Sequence, residues 1–130
     1  MTETAAIPRG DLENRIGLRV TESSPHRVIG TLPVQGNTQP FGVLHGGASC
    51  VLVETLASVG ACLHFGADGG AAVGTELNAT HHRPTREGVV TGVATAVHLG
   101  RTHATYEVVV VDQRGKRVCT ARMTCVRVAT

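Results

Sequence analysis

The stretch HGGASCVLVETLASVGACLHF, His45 to Phe65, decides the fold, and its only formal charge is Glu54. Apolar residues fall on every helical face of this run. It therefore reads as a core helix from about His45 to Phe65, ended by Gly66-Ala67-Asp68-Gly69-Gly70. An ionised carboxylate held away from water is costly unless it is hydrogen-bonded or paired. The nearest helical neighbours of Glu54 are Cys50, Val51, Ala57 and Ser58, and none carries a charge. Either the helix exposes one face, or the carboxylate has a chemical job.

Outward from the helix, the pattern turns to strands. Residues 1–10 read as a loose tail. Asp11 is placed to cap a short helix through Ile16, and Gly17 to end it. Leu18–Glu22 and His26–Val34 alternate as strands around Ser23-Ser24-Pro25, and 35–44 reads as a loop. Beyond the helix, Ala72–Arg83, Gly88–Leu99, Thr102–Asp112 and Arg117–Val128 are β-rich. Their short breaks predict an antiparallel meander. Val108–Val111 is continuously apolar, as a mid-sheet strand would be. The expected architecture is α+β: one long helix wrapped by a curved antiparallel sheet. Such a sheet leaves apolar surface over, which predicts a homo-oligomer.

Bulk properties narrow the function. The chain has 130 residues, enough for a single domain over its whole length. Phe41, Phe65 and Tyr106 are its aromatics, so Val, Leu and Ala must build the core. A formal net charge of +2 and the lack of an aromatic-and-basic surface argue against a nucleic-acid partner. Cys50, Cys62, Cys119 and Cys125 form no CxxC pair, so no metal site is expected. Cys50 and Cys62 would stand roughly 18 Å apart on one helix, too far to bridge. Free buried thiols and the lack of a signal-peptide pattern predict a cytoplasmic protein. The helix is nearly long enough to span a bilayer. Glu54, Thr55 and Ser58 at its middle, and the strands around it, argue against that.

Several groups near the helix start could act with Glu54. Gln39 supplies an amide, His45 an imidazole, Gly46 and Gly47 open backbone N–H groups, and Ser58 a hydroxyl one turn beyond Glu54. A helix N-terminus is a ready oxyanion site, because its first N–H groups are unsatisfied and its dipole is positive. A carboxylate can attack a carbonyl or activate water to do so. Gly46 and Glu54, however, are separated by roughly 12 Å along a helix axis. One carbonyl cannot meet both within a single chain. Two antiparallel helices across a two-fold axis would bring Gly46 of one subunit to Glu54 of the other.

The spacing Gln39, His45, Glu54, Ser58 within QPFGVLHGGASCVLVETLAS resembles the hotdog-fold acyl-CoA thioesterases. The branch is that of the Arthrobacter-type 4-hydroxybenzoyl-CoA thioesterase, which includes 1,4-dihydroxy-2-naphthoyl-CoA and enterobactin-pathway proofreading thioesterases. GTELNATHHRPTREG and HLGRTHATYEVVVVDQRGKRVC are similar to that family too, so the likeness runs from about Arg27 to Val128. It implies a hotdog fold and hydrolysis of an acyl-CoA, favouring an aromatic acyl group of the hydroxybenzoyl or hydroxynaphthoyl kind. No cofactor is implied. Glu54 would be the nucleophile or general base. The Gly46 N–H would polarise the thioester carbonyl with help from Gln39, His45 would help orient Gln39 and the thioester end, and Ser58 would hold water or touch the acyl group. His81 and Arg83 would meet the phosphates of coenzyme A, with Arg86, Arg101 and His103 as further candidates. The resemblance also implies a homodimer with shared sites, paired into a homotetramer.

Two rivals use the same scaffold. An acyl-CoA-sensing domain would want an attached DNA-binding segment, and the residues before the first strand are too few for one. A hotdog hydratase would want an Asp–His dyad, and no Asp stands near His45.

Overall fold

The computed structural model describes residues 9–129, so all but the end of the expected tail lies outside the described residues. A short helix α1 (Asp11–Ile16) leads into β1 (Arg19–Ser23) and β2 (Arg27–Pro33). The long helix α2 (Gly46–Gly66) follows, then β3 (Ala71–His81), β4 (Val89–Leu99), β5 (His103–Val111) and β6 (Arg117–Val128). Asp11 does not cap α1. The cap position is Gly10, without a side-chain bond, and Asp11 lies in the first turn, where its charge suits the dipole. Gly17 ends α1 in the left-handed region at φ 77°.

The strands form one six-stranded antiparallel sheet in the order β1-β2-β4-β5-β6-β3. Only β4-β5-β6 is a meander. β3 pairs with β6 at the far edge, and β4 pairs with β2 instead. The short break after β3 misled the expectation. Seven extended residues reach roughly 23 Å, enough to pass the ends of two strands. The crossing segment is held as it goes: His82 N–H bonds Val118 O, and Gly88 O accepts from Val34 N–H.

The helix lies on the concave face of the sheet. Leu52, Val53, Leu56 and Ala57 are fully buried. Gly30 of β2 and Gly92 of β4 are register partners, and the Leu52 and Leu56 methyls fill the hollow above them. A Cβ on Gly30 would stand 2.6 Å from Leu56 Cδ2, so these strand glycines mark helix–sheet contact. Farther along, Gly60 receives the Tyr106 hydroxyl end, whose proton goes to the Pro25 carbonyl at 2.6 Å. β5 is central as expected, with Val108 and Val110 buried and Val109 and Val111 half-buried. By length and hydropathy α2 could cross a membrane, yet it packs on all six strands as the core helix.

One expectation about α2 needs correcting. It is not covered all round. Val51, Thr55, Ser58 and Cys62 are half-buried and Glu54 is exposed, so one face of the helix is open.

Candidate active site

Glu54 stands on that open face. It lines a cleft of about 980 Å³ between α2 and the α1–β1 segment. Leu12, Leu18, Val20, Val51 and Val59 give the cleft apolar walls, while Thr21, Ser23, Thr55 and Ser58 add hydroxyls. The carboxylate is backed by β3. A Cβ on Gly74 would lie 3.0 Å from Glu54 Oε2, and the Met123 methyl already occupies that Cβ position. Gly74 adjoins the register shift of β3, where the chain bulges beside the carboxylate.

Ser58 lines the same cleft one helical turn beyond Glu54. Its hydroxyl donates to the Cys125 thiol of β6. Burial pushes Cys125 up to about 11 despite that hydrogen bond, and Cys119 likewise to about 11. Cys50 is also raised, by burial first and then by the Glu54 charge. These thiols are protonated at neutral pH and act as small apolar groups. Among the described residues no group of three or more His, Cys, Asp or Glu could hold a metal ion.

The start of α2 is built by two imidazoles and two glycines. His45 is the N-cap, and its Nδ1 accepts from Gly47 N–H at 2.8 Å. That bond places the ring proton of a neutral His45 on Nε2. Alanine at 47 would put a Cβ 2.9 Å from His45 Nδ1, and alanine at 46 would put one 2.9 Å from His81 Nε2. A side chain at either position would have to push a ring aside. The His45 carbonyl takes the Ala48 N–H, and the Gly46 N–H has no acceptor among the described residues. It is the free donor that an oxyanion would use.

Gln39 sits in the loop just before this helix start. Its Oε1 accepts from Phe41 N–H, which leaves the carboxamide NH₂ as the unused end. His45 does not reach toward Gln39 through Nδ1, because that atom is committed to the helix. The link runs through backbone instead: Thr38 bridges Leu44, and the His45 N–H bonds the Asn37 carbonyl.

The cationic candidates divide into two groups. His81 packs on Gly46, and Arg83 is exposed just beyond with no partner among the described residues. Arg86 Nη1 donates to the Phe41 carbonyl at 3.1 Å. Arg101 and His103 lie at the opposite end of the sheet. His81 is opposite Cys119 and His103 opposite Val126, which separates them by roughly 23 Å along β6. His103 Nδ1 is bonded to its neighbour Thr102 at 3.0 Å.

The structure thus gathers Glu54 and Ser58 at one cleft, and Gln39, His45, Gly46 and His81 at the helix mouth. Sequence reasoning missed Gly74, Met123 and Cys125, which hold the two cleft residues from behind. A glycine inside a β-rich run was the one available signal for Gly74.

Known proteins share this fold. The family model of the thioesterase superfamily matches residues 41–119, more than half of the chain. The proofreading thioesterase EntH of Cronobacter turicensis is 44% identical over 115 residues, which cover 88% of this chain and 83% of that protein. A crystal structure of a variant of thioesterase PA1618 from Pseudomonas aeruginosa superposes with a TM-score of 0.87 at 38% identity, covering 92% of this chain and 86% of that one. Thioesterase HI1161 of Haemophilus influenzae gives 0.86 at 34% identity, over 91% of this chain and 82% of that one. The long helix with its open carboxylate face belongs to a thioester hydrolase, and the chain is a hotdog-fold member of the thioesterase superfamily.

Proposed function

We infer that the protein hydrolyses an acyl-CoA to the free acid and coenzyme A, with Glu54 as the catalytic carboxylate. The observation that carries this reading is the exposed Glu54 at a largely apolar cleft of about 980 Å³. The favoured acyl groups are aromatic, of the hydroxybenzoyl or hydroxynaphthoyl kind. The apolar walls suit a ring, and the hydroxyls of Thr21 and Thr55 suit its substituents.

Catalysis needs two elements at one carbonyl. The Gly46 N–H and the Gln39 carboxamide stabilise the oxyanion as the carbonyl becomes tetrahedral. Glu54 either takes a proton from the attacking water or attacks the carbonyl itself. Collapse of the intermediate expels the coenzyme A thiolate, which takes up the proton released by the consumed water and leaves as the thiol. On the route where Glu54 attacks, that water hydrolyses the acyl–Glu54 anhydride and frees the carboxylate. With roughly 12 Å of helix between Gly46 and Glu54, both act on one carbonyl only across a dimer. The edge strand β3 supports such pairing. Among the described residues no strand pairs with its outer side, and Val73 on it is 49% exposed. The proposed unit is a homodimer with shared sites, assembled into a homotetramer in the cytoplasm.

For the coenzyme, Arg83 is assigned to a phosphate, and His81 to the thioester end beside Gly46. Arg101 and His103 stand too far along the sheet to join them within one chain.

The test is release of free thiol from a panel of aromatic and aliphatic acyl-CoAs. Glu54→Gln and Glu54→Ala should each lose about two orders of magnitude or more in kcat. Undiminished hydrolysis by Glu54→Ala removes the mechanism.

A further inference from the structure

Two consecutive residues of the β3–β4 connection grip the loop that carries Gln39. The Thr85 carbonyl accepts from Leu44 N–H at 2.7 Å, and Arg86 Nη1 donates to the Phe41 carbonyl at 3.1 Å. Phe41 is thereby held at both ends of its backbone, because its N–H donates to Gln39 Oε1. Within the loop, Gln39 N–H bonds Val43 O and Gly42 N–H bonds Gln39 O, both at 2.9 Å. Gly42 turns the chain at φ 82°, and Arg86 Nη1 stands 3.9 Å from where its Cβ would be. The Phe41 side chain is 82% exposed, so packing does little to fix the tip of the loop. The guanidinium does that work.

We propose that Arg86 is a positioning residue for Gln39. It fixes the Phe41 backbone, which fixes the carboxamide oxygen, and the NH₂ is left directed away from the loop toward substrate. This rests on the reading of Gln39 as a donor to the thioester carbonyl. It reassigns Arg86 from the phosphates of coenzyme A to the geometry of the oxyanion site. Small displacements of a group that orients a reacting carbonyl cost rate without costing affinity for remote parts of the substrate.

The experiment compares two thioesters of one acyl group, the coenzyme A ester and the N-acetylcysteamine ester, which has no phosphate. Arg86→Ala, Gln39→Ala and the double variant are assayed on both. Arg86→Ala should lower kcat/KM about tenfold on either thioester, mainly in kcat. It should add nothing further in the Gln39→Ala background, because the two act through one group. A loss confined to the coenzyme A ester and expressed in KM overturns the proposal and returns Arg86 to the phosphates. Additive losses in the double variant overturn it as well. Undiminished activity of Gln39→Ala is a separate failure. It removes the role of Gln39, and the proposal with it. Melting temperatures accompany each assay, and Arg86→Gln repeats the series if the alanine variant melts early.

Discussion

Glu54 and Gly74 meet across the seam between α2 and β3, where the carboxylate Oε2 lies 3.0 Å from the position of a glycine-forbidden Cβ. The same position is filled by the Met123 methyl. A side chain at 74 must therefore displace the core Met123, the Glu54 carboxylate, or both. Gly74→Ala should cost about 1–3 kcal/mol of stability by overpacking. It should also lower kcat about tenfold by moving the carboxylate. Adding Met123→Ala opens the space again, and should restore more of kcat than of stability, since it leaves a cavity. Thermal melts and thiol-release rates on the three variants measure both effects. Unaltered kcat in Gly74→Ala would show that Glu54 does not need this wall.

A second close approach supports the fold rather than the chemistry. A Cβ on Gly60 would stand 2.7 Å from the Tyr106 hydroxyl oxygen, inside the core. Gly60→Ala gains helix propensity but must displace the ring or break its bond to Pro25 O. A net loss of about 1–3 kcal/mol is expected in denaturant unfolding. Tyr106→Phe removes the nearest of three crowding atoms, leaving Cζ at 2.8 Å and Cε2 at 2.9 Å. It also releases the ring from Pro25 O, so the double variant should lose less than the sum of the singles. Strict additivity would mean that the ring moves freely, against its complete burial.

What the sequence could reveal follows from how local each feature is. The central helix, its glycine stop and the strand runs are set by residues next to one another, so their periods show directly. The position of β3 is not local. Nothing in Ala71–His81 says whether the strand pairs with β4 or with β6, because the pairing depends on which edge remains open after the meander closes. At the site, Glu54 stood out because charge in an apolar run is rare. Gly46 and Gly47 were legible as a helix start, but the rings that crowd them, those of His81 and His45, were not. His81 arrives from a strand thirty-five residues later in the chain. The Ser58–Cys125 bond was invisible for the same reason.

The buried thiols predict an alkaline limit to stability. Cys119 and Cys125 titrate near 11 when folded, against an ordinary value of 9.0. Between those values the unfolded chain has released protons that the folded chain still holds. Stability is thus complete below about pH 9 and falls as pH rises through 11. The melting temperature should decline over that window. Cys125→Ala should melt lower at neutral pH because of the cavity, but with a shallower alkaline slope. An unchanged slope would place the alkaline transition elsewhere.

Arg83 tests the assignment of the coenzyme. Its exposed guanidinium has no partner among the described residues, so removing it breaks nothing within the chain. Arg83→Ala should raise KM for an acyl-CoA about tenfold, and leave kcat within about twofold. The N-acetylcysteamine thioester should show no difference. An unchanged KM for the coenzyme A ester would take Arg83 out of the site.

The proposed sharing of the site between subunits makes the sharpest prediction. If Gln39 and Gly46 of one subunit serve Glu54 of the other, Gln39→Ala and Glu54→Ala damage complementary halves. Each homodimer then has two defective sites. A mixed dimer has one site with both lesions and one with none. Unfolding and refolding the two variants together should therefore restore activity. With random pairing, about half of the dimers are mixed and each regains one of two sites, so about a quarter of the wild-type rate should return. Were the site contained within one chain, every site in the mixture would still have a lesion and no activity would be regained. Size-exclusion chromatography of the refolded mixture confirms that dimers have formed, which separates failure to assemble from failure to complement.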